Sequence, residues 1–317
     1  MIRTAFVFPG QGSQRPGMGR GPAALRPDLV PAYYRTADDL LGIPLSRLCC
    51  EGSAEDLADP AVMQPAVFLT SLVTLEWLRS EGVEPDAVAG HSLGEYTALV
   101  AAGVLDWTEA LWLVRLRGEL VATVGDRIPF ATAAVIGLDR ARLVRMCAQA
   151  TAITGRTVEV AGDNEPRQTV VSGQAAAVAH VAQAARAAGA LRVTDLKTGG
   201  PFHSSLLRGI EAEFTEALIA TDFRNPRVPL VSSVTGGRIT TAAEAVVALR
   251  SQLTSEVRWT ETVQVLAASG SRHFVEVGPG QVLGQLVRRI VPGVKVHATH
   301  TSAHRAEAVN SLAATAV

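Results

Sequence analysis

The sequence predicts an α/β protein built on a parallel sheet, with a smaller α/β unit inserted into it. Up to about residue 125, short apolar runs that end at glycine alternate with longer stretches of helical spacing, which is typical of a parallel sheet with crossover helices. From residue 128 to 198 the pattern changes to short strands around two helices. After Gly199-Gly200-Pro201 the first pattern resumes, so we expect a discontinuous large domain.

The elements of the large domain follow from these apolar runs. Residues 4–8 and 86–89 are predicted strands, because each is a short buried-type run that precedes a glycine turn. Helical spacing and a start at Asp106 that resembles a capping box predict further helices. The predicted helices are 67–78, 96–103 and 106–121, and the elements after residue 199 are a helix at 205–220, a strand at 229–232, a helix at 260–268 and a strand at 273–277.

The inserted unit has a different order of elements. Its predicted elements are strand 131–136, helix 140–150, strands 158–161 and 169–172, an alanine-rich helix at 175–188 and strand 191–196. The order βαββαβ is that of a ferredoxin-like unit. We therefore expect a large domain of residues 1–127 and 199–317 around an insert of residues 128–198, with a cleft where the insert leaves and returns.

Composition excludes several classes of function. Lys+Arg 29 against Asp+Glu 30 leaves a net charge of -1, so there is no global field to attract nucleic acid or an anionic membrane. Cys49, Cys50 and Cys147 have no metal-ligand spacing and suit a reducing compartment. No signal peptide and no apolar run of about 18 residues is evident. We expect a soluble cytoplasmic protein with no metal, no nucleic-acid partner and no membrane span.

The segment Gly90-His91-Ser92-Leu93-Gly94 matches G-x-S-x-G between a predicted strand and a predicted helix. A serine at such a turn has its hydroxyl exposed, and the start of the following helix directs N–H groups at the oxygen that becomes negative during attack. A five-residue match can also arise by chance. The flanking strand and helix favour Ser92 as a nucleophile.

The loop from Pro9 to Gln14 follows the first strand. Its glycine spacing does not match a nucleotide-binding loop, and no Gly-Lys-Ser/Thr follows. In sheets that carry a nucleophilic serine turn, the loop after a neighbouring strand often donates the second oxyanion N–H, and Gln11 lies at that position. The alternative is a plain glycine turn.

A nucleophilic serine needs a base, and the chain has seven histidines. Most are discounted by position: His180 lies in the alanine-rich helix, His273 begins a core strand, and the three beyond it fall in a segment predicted as a polar tail. His91 adjoins the serine, but consecutive side chains at such a turn point apart. His203 lies where the insert rejoins the large domain, and loops at such junctions line clefts. A structural histidine is the alternative.

Arg117 lies on the apolar face of the predicted helix at 106–121. Its neighbours at three and four residues are all apolar, whereas Arg115 has Glu119 at i+4 and is predicted to form a solvated ion pair. A buried guanidinium needs a counter-charge, so Arg117 must meet either a protein carboxylate or a bound anion. Pairing with a protein carboxylate is the commoner outcome.

Taken together, six segments resemble the malonyl-CoA:acyl carrier protein transacylase family, which includes the acyltransferase domains of polyketide synthases. They are Gly10-Gln11-Gly12-Ser13-Gln14, Gln64-Pro65-Ala66, 90–96, Arg115-Leu116-Arg117-Gly118, Gly200-Pro201-Phe202-His203-Ser204 and Glu276-Val277-Gly278-Pro279-Gly280. The resemblance spans nearly the whole chain. It implies an α/β-hydrolase-like large domain with a ferredoxin-like insert, and a ping-pong transfer of a malonyl group from coenzyme A to an acyl carrier protein without a bound cofactor.

The resemblance also implies roles for individual residues. Ser92 would be the nucleophile and His203 its base, oriented by the backbone at Gln252-Leu253; the N–H groups of Gln11 and Leu93 would form the oxyanion hole. Arg117 would bind the malonyl carboxylate, and Gln64 and Asn164 would line the same site. Members that exist as separate chains are usually monomers, so a monomer is expected.

The resemblance leaves the acyl group open. Phe202, directly before the histidine, favours malonyl, whereas Thr132 stands where many relatives have methionine and leaves room for a different acyl chain. Two enzyme alternatives therefore remain: a trans-acting acyltransferase that moves a non-malonyl group between carrier proteins, and an editing acyl hydrolase. A non-enzymatic scaffold is disfavoured because a strained serine turn without a chemical use is costly.

Overall fold

The computed structural model describes residues 3–28 and 30–313 of the 317-residue chain. The strands are β1 (Arg3–Phe8), β2 (Ala87–Gly90), β3 (Phe130–Ile136), β4 (Val158–Glu165), β5 (Gln168–Gln174), β6 (Arg192–Asp195), β7 (Leu230–Val231), β8 (Arg238–Ile239), β9 (Ser271–Glu276) and β10 (Lys295–Ala298). The helices are α1 (Arg20–Leu25), α2 (Val30–Leu41), α3 (Leu45–Glu51), α4 (Pro60–Ser80), α5 (Gly94–Ala101), α6 (Trp107–Gly125), α7 (Arg140–Thr154), α8 (Ala175–Ala187), α9 (Glu211–Ile219), α10 (Ala242–Gln252), α11 (Trp259–Ala268), α12 (Val282–Ile290) and α13 (Ser302–Ala313).

The larger sheet has the strand order β10-β9-β1-β2-β7-β8, and only the edge pair β7–β8 is antiparallel. Successive side chains of a strand point to opposite faces. Accordingly Phe6 and Phe8 belong to one buried cluster, whereas Ala5 and Val7 belong to another. The sheet is therefore covered on both faces, and the prediction of a mixed α/β fold with a parallel sheet is confirmed.

The smaller sheet lies between residues 130 and 195 and is antiparallel throughout, in the order β4-β5-β3-β6. Helices α7 and α8 pack against it around a separate cluster that includes Leu143, Val171 and Val181. Along the chain its elements follow one another as βαββαβ, the order expected from the sequence. The chain enters and leaves this unit on the side that faces the ends of β1 and β2, where the site described below lies.

Several predicted elements differ from the structure. The predicted helix at 205–220 is a 3₁₀ helix (Ser205–Ile210) followed by α9, and helices α1 to α3, α10 and α12 were not predicted. The prediction of a polar C-terminal tail was wrong. His297 lies in β10, is 9% exposed and stacks on His273 with ring centroids 5.5 Å apart, and α13 follows. Because the imidazole rings of His273 and His297 stack on each other, the polar segment that contains His297 can lie in the core.

Helix α4 is long and apolar enough, by length and composition alone, to cross a membrane. Of its most apolar window, 89% is buried inside the fold, where α4 packs against α6. A core helix of a globular protein passes the same test, so this helix is weak evidence for a membrane span. The expectation from the sequence that no apolar run reaches this length does not hold for α4.

The turn after β2 leaves no room for a side chain at Gly90. A Cβ there would lie 2.0 Å from the carbonyl carbon of Gly94, which is backbone and cannot move independently. We expect Gly90→Ala to lower the free energy of unfolding by about 3 kcal/mol or more, because overpacking against backbone has no relaxed rotamer. Urea denaturation followed by circular dichroism measures this loss.

Gly209→Ala is the matched control. Gly209 is exposed in the 3₁₀ helix, and nothing lies within 4 Å of a Cβ built there. We expect its free energy of unfolding to stay the same or to rise by up to about 1 kcal/mol. A denaturation midpoint of Gly90→Ala equal to that of Gly209→Ala would contradict the packing argument.

Candidate active site

Ser92 lies in a sharp turn between β2 and α5. Its φ angle is 52°, a left-handed conformation that is uncommon for a residue with a side chain. The turn is so close to β1 that a Cβ on Gly94 would lie 2.0 Å from the carbonyl oxygen of Phe8. The predicted strand–serine–helix turn is therefore present, with the serine hydroxyl at the carboxyl end of the sheet.

His203 approaches Ser92 from the loop that follows the smaller sheet. Its Nε2 lies 2.7 Å from the Oγ of Ser92, and its Nδ1 lies 3.0 Å from the backbone carbonyl oxygens of both Gln252 and Ser255. Because a carbonyl only accepts hydrogen bonds, Nδ1 must carry the proton and Nε2 accepts from the serine hydroxyl. The backbone at Gln252 was expected as the partner from the resemblance, whereas Ser255 was not.

The surroundings of His203 keep its imidazole neutral. Burial, together with the positive charge of Arg117 and the neighbouring His91, lowers the pKa of His203 to about 3, and the two carbonyl acceptors only partly oppose this. A neutral imidazole at physiological pH can accept the serine proton. The geometry and the protonation state both suit a general base.

Arg117 lies directly beside Ser92 and is 1% exposed. Its Nη1 donates to Oε1 of Gln64 at 2.6 Å, its Nη2 donates to the Oγ of Ser92 at 3.1 Å, and its guanidinium carbon lies 5.0 Å from the centre of the Phe202 ring. Its Nε has no partner, and within the described part of the chain no carboxylate forms an ion pair with it. Of the two alternatives left open by the sequence, the protein carboxylate is excluded for these residues.

Two backbone N–H groups flank the serine. Gln11 follows β1 and Leu93 directly precedes α5, and within residues 3–28 and 30–313 neither N–H donates to a protein acceptor. The side chain of Gln11 donates to the carbonyl oxygen of Thr198 and so ties the loop after β1 to the end of the insert. Both N–H groups are thus available to an oxygen bound at Ser92.

A cavity of about 130 Å³ opens over the serine. Six of the predicted site residues line it: Gln11, Ser92, Thr132, Asn164, Phe202 and His203. A second cavity of about 340 Å³ shares part of this lining and extends past Lys197 to the apolar side chains of α12. The site is therefore continuous with a longer, partly apolar channel.

Asn164 and Thr132, which line the cavity, each have a hydrogen-bond partner there. The Oδ1 of Asn164 lies 2.9 Å from the Nε2 of His91, whose ring packs edge-on against Trp259 at 5.3 Å. The Oγ1 of Thr132 lies 3.0 Å from the Oγ1 of Thr198. His91 is thus turned away from Ser92, as expected for consecutive side chains at this turn.

Three residues of the site were not found from the sequence: Glu95, Ser233 and Ser255. Glu95 is fully buried, and its Oε2 accepts from the Oγ of Ser233 and from the Nε2 of Gln252, both at 2.9 Å. Ser233 lies just after β7, the neighbour of β2 in the sheet. Polar residues that follow adjacent parallel strands meet at one edge of the sheet, and this signal could have identified Ser233.

No group of three or more His, Cys, Asp or Glu side chains that could hold a metal ion occurs in residues 3–28 and 30–313. The side chains that hydrogen-bond Ser92 directly belong to Ser233, His203, Arg117 and Gln252. Such a set suits nucleophilic chemistry on an acyl group.

A serine hydroxyl bonded to a neutral histidine, with free N–H groups beside it on an α/β sheet, defines the class of serine-dependent acyl-transfer proteins. The acyl transferase domain family matches residues 5–309. The chain belongs to this family and is an acyltransferase.

Named relatives agree with this assignment. The chain is 40% identical over 295 residues to the malonyl CoA-acyl carrier protein transacylase of Bacillus subtilis, covering 92% of this chain and 91% of that one. The crystal structure of FabD from Acinetobacter baumannii matches with a TM-score of 0.93 and 34% identity over 99% of both chains. A type II PKS acyl-carrier protein in complex with its malonyl-transacylase matches with a TM-score of 0.92 and 35% identity, covering 98% of this chain and 99% of that one.

The depressed pKa of His203 predicts an unusual pH dependence. We expect the rate at which Ser92 reacts with a fluorophosphonate to stay constant from about pH 8 down to about pH 5, because His203 remains neutral there whereas a free histidine is half protonated near 6.5. Labelling reactions quenched at timed intervals and analysed by mass spectrometry measure the rate. A labelling rate that falls on the acidic side with a midpoint near the ordinary histidine pKa would contradict the prediction.

The same shift affects stability. Between the unfolded pKa of 6.5 and the folded pKa of about 3, the unfolded state binds a proton at His203 that the native state does not. The contribution of His203 to stability is therefore fully present above the unfolded pKa and is lost as the pH falls toward the folded pKa. Loss of activity at low pH should accordingly accompany unfolding rather than precede it.

Proposed function

We propose that this acyltransferase moves a malonyl group from malonyl-CoA to the phosphopantetheine thiol of an acyl carrier protein, in fatty-acid or polyketide biosynthesis. The observation that carries this proposal is the fully buried Arg117 guanidinium, which has a free Nε, no carboxylate partner among the described residues, and an Nη2 within 3.1 Å of the Ser92 hydroxyl. A buried cation in contact with the nucleophile demands an acidic acyl group. The names of the relatives point to the same substrates.

In the first half-reaction the Nε2 of His203 takes the proton of Ser92 while Oγ attacks the thioester carbonyl. The Oγ–carbonyl bond forms, and the carbonyl oxygen becomes an anion between the N–H groups of Gln11 and Leu93, each worth about 3 kcal/mol in reactions of this kind. Collapse of the tetrahedral intermediate breaks the carbon–sulfur bond. His203 returns its proton to the departing coenzyme A thiolate, and the malonyl group remains as a Ser92 ester.

The second half-reaction reverses the roles. The phosphopantetheine thiol of the carrier protein gives its proton to His203, and its sulfur attacks the ester carbonyl. The carbon–oxygen bond to Ser92 then breaks, and the serine oxygen takes the proton back from His203. Arg117 holds the malonyl carboxylate with two donors throughout, which keeps the ester aligned for the incoming thiol.

Two residues set the acyl group in this proposal. Phe202 packs on the guanidinium of Arg117 at 5.0 Å and narrows the space beside a malonyl methylene. Thr132 lines the same cavity with its hydroxyl bonded to Thr198, and a threonine there is smaller than the methionine that many relatives have. Thr132 favours the second candidate, an acyltransferase for a larger acyl group, whereas Arg117 favours malonyl.

The finer description of the fold belongs to the proposal as well. We assign residues 1–127 and 199–317 to an α/β-hydrolase-like domain and residues 128–198 to a ferredoxin-like subdomain. The order βαββαβ and the strand order β4-β5-β3-β6, in which the first and third strands of the unit are central, support the second assignment. We further propose a cytoplasmic monomer that needs no resident cofactor or metal and has no nucleic-acid or membrane partner.

The direct test is the mass of the acyl group on Ser92. The purified protein is incubated with a panel of malonyl, methylmalonyl, acetyl and longer acyl thioesters, and the active-site peptide is weighed. A malonyl adduct that passes to a phosphopantetheinylated carrier protein is expected. Preferential loading of neutral or longer chains would establish the second candidate, and release of free malonate without carrier would establish a hydrolase.

Arg117→Ala should separate malonyl from neutral acyl groups. Removing one partner of a buried charge pair costs about 3–5 kcal/mol, so we expect malonyl loading to fall by at least about 100-fold while acetyl loading is unchanged or rises. Arg115→Ala is the control on the same helix, because Arg115 forms an ion pair with Glu119 at 2.5 Å and bonds the backbone of Ala61 away from Ser92. Equal losses for malonyl and acetyl would contradict the proposed role of Arg117.

A further inference from the structure

Both members of the serine–histidine pair have strained backbones. Ser92 has a φ of 52° and His203 a φ of 59°, and among the described residues these are the only non-glycine residues with positive φ. Such conformations are unfavourable for residues with a side chain and persist only when the surrounding structure holds them. The groups that hold these two residues therefore decide whether the hydroxyl and the imidazole meet.

Glu95 is the centre of the hydrogen bonds around the backbone of Ser92. Its Oε2 accepts from Ser233, whose Oγ in turn receives the Ser92 N–H at 3.4 Å. The same Oε2 accepts from the Nε2 of Gln252, which also donates to the carbonyl oxygen of Ser92 at 3.1 Å. Both peptide groups of the nucleophile are thus held by side chains that Glu95 orients.

Gln252 extends this set of bonds to the base. Its side chain contacts Glu95 and Ser92, and its own backbone carbonyl accepts from the Nδ1 of His203 at 3.0 Å. A single residue therefore connects the carboxyl group, the nucleophile and the base. A displacement of Gln252 would therefore change the positions of both Ser92 and His203.

The chemistry of a carboxylate explains why a glutamate is needed at this place. An ionised carboxylate only accepts, so it forces the Ser233 hydroxyl to donate and leaves an oxygen lone pair for the Ser92 N–H. It likewise forces the amide of Gln252 to turn its NH₂ toward both Glu95 and the Ser92 carbonyl. Burial raises the pKa of Glu95, while hydrogen bonds from Ser232, Gln252 and Ser233 oppose that rise.

We propose that Glu95 is a positioning residue that sets the direction of the hydrogen bonds holding Ser92 and, through Gln252, His203. Glu95 is fully buried and does not line either cavity over the serine, so it acts without touching substrate. This inference rests on the proposed function only in taking Ser92 as the nucleophile.

The test is Glu95→Gln, measured by two readouts. Ser233 and Gln252 donate to the same oxygen, Oε2, so the amide oxygen of a glutamine can accept both bonds, but only as a neutral and weaker acceptor. Its NH₂ then lies at the position of Oε1, which is buried and has no hydrogen-bond partner among the described residues. Since a hydrogen bond to a charged group is worth about 1.5–3 kcal/mol, we expect about a 10- to 100-fold slower reaction of Ser92 with a fluorophosphonate and the same fall in kcat for malonyl loading. The KM for malonyl-CoA should change less than kcat, because Glu95 forms no hydrogen bond or ion pair with Arg117 and acts on that guanidinium only through the weaker interaction of two separated charges.

Controls separate positioning from loss of folding. Glu109→Gln removes a partly buried carboxyl group on α6 that bonds the backbone of Asp222, far from these residues, and should leave the fluorophosphonate rate unchanged. Ser233→Ala removes one hydroxyl and should slow labelling about 3- to 10-fold. If Glu95→Gln does not fold, Ser233→Ala decides: slower labelling at unchanged KM supports the proposal, and an unchanged rate overturns it.

A double variant tests whether Glu95 and Ser233 act on Ser92 together. Because Glu95 acts on the Ser92 N–H through Ser233, Glu95→Gln with Ser233→Ala should label no more than about threefold more slowly than Glu95→Gln alone. A folded Glu95→Gln that labels at the wild-type rate, or one that changes only KM, overturns the inference. Fluorophosphonate labelling needs neither malonyl-CoA nor carrier, so a wild-type protein that labels but does not load malonyl would refute the proposed substrate and leave this inference standing.

Discussion

A guanidinium buried without an ion-pair partner among the described residues is the constraint on which the rest of the site depends. Leaving a cation unpaired in the interior costs several kcal/mol, and Arg117 bonds only an amide oxygen and a serine hydroxyl of the described residues and lies over an aromatic ring. The same charge helps to lower the pKa of His203 and so keeps its imidazole neutral. The unpaired guanidinium lowers the stability of the fold, and an anion bound beside Ser92 would restore that stability.

The smaller sheet contributes more than a cover over the cleft. Glu159 on β4 accepts from the Oγ of Ser204 at 3.1 Å and from the N–H of Ser205 at 2.6 Å, directly after the strained His203. Arg140 of α7 also pairs with Glu256 at 2.6 Å, next to the Ser255 carbonyl that bonds the imidazole. The loop that carries His203 is thus held from both units, so a shift of one unit against the other would move His203.

Much of the fold and part of the site could be predicted from the sequence, and the misses have physical reasons. The strands of both sheets other than β8 and β10, and the serine turn, were located because apolar runs, alternation and glycine spacing are local signals. The helix predicted at 205–220 failed because the 3₁₀ helix from Ser205 to Ile210 has the same residue types as an α-helix. His297 was placed in a polar tail because its burial depends on stacking against His273 from another strand.

The sequence by itself determined the order of the elements, the position of the serine between β2 and α5, and the need of Arg117 for a counter-charge. These depend on neighbours within a few residues. Only the tertiary structure decided that no carboxylate of the described residues forms an ion pair with Arg117, that His203 is neutral with its proton on Nδ1, and that Glu95 and Ser233 hold the backbone of Ser92. Each of these depends on contacts across 53, 111 or 141 residues, and such contacts exist only once both sheets have folded.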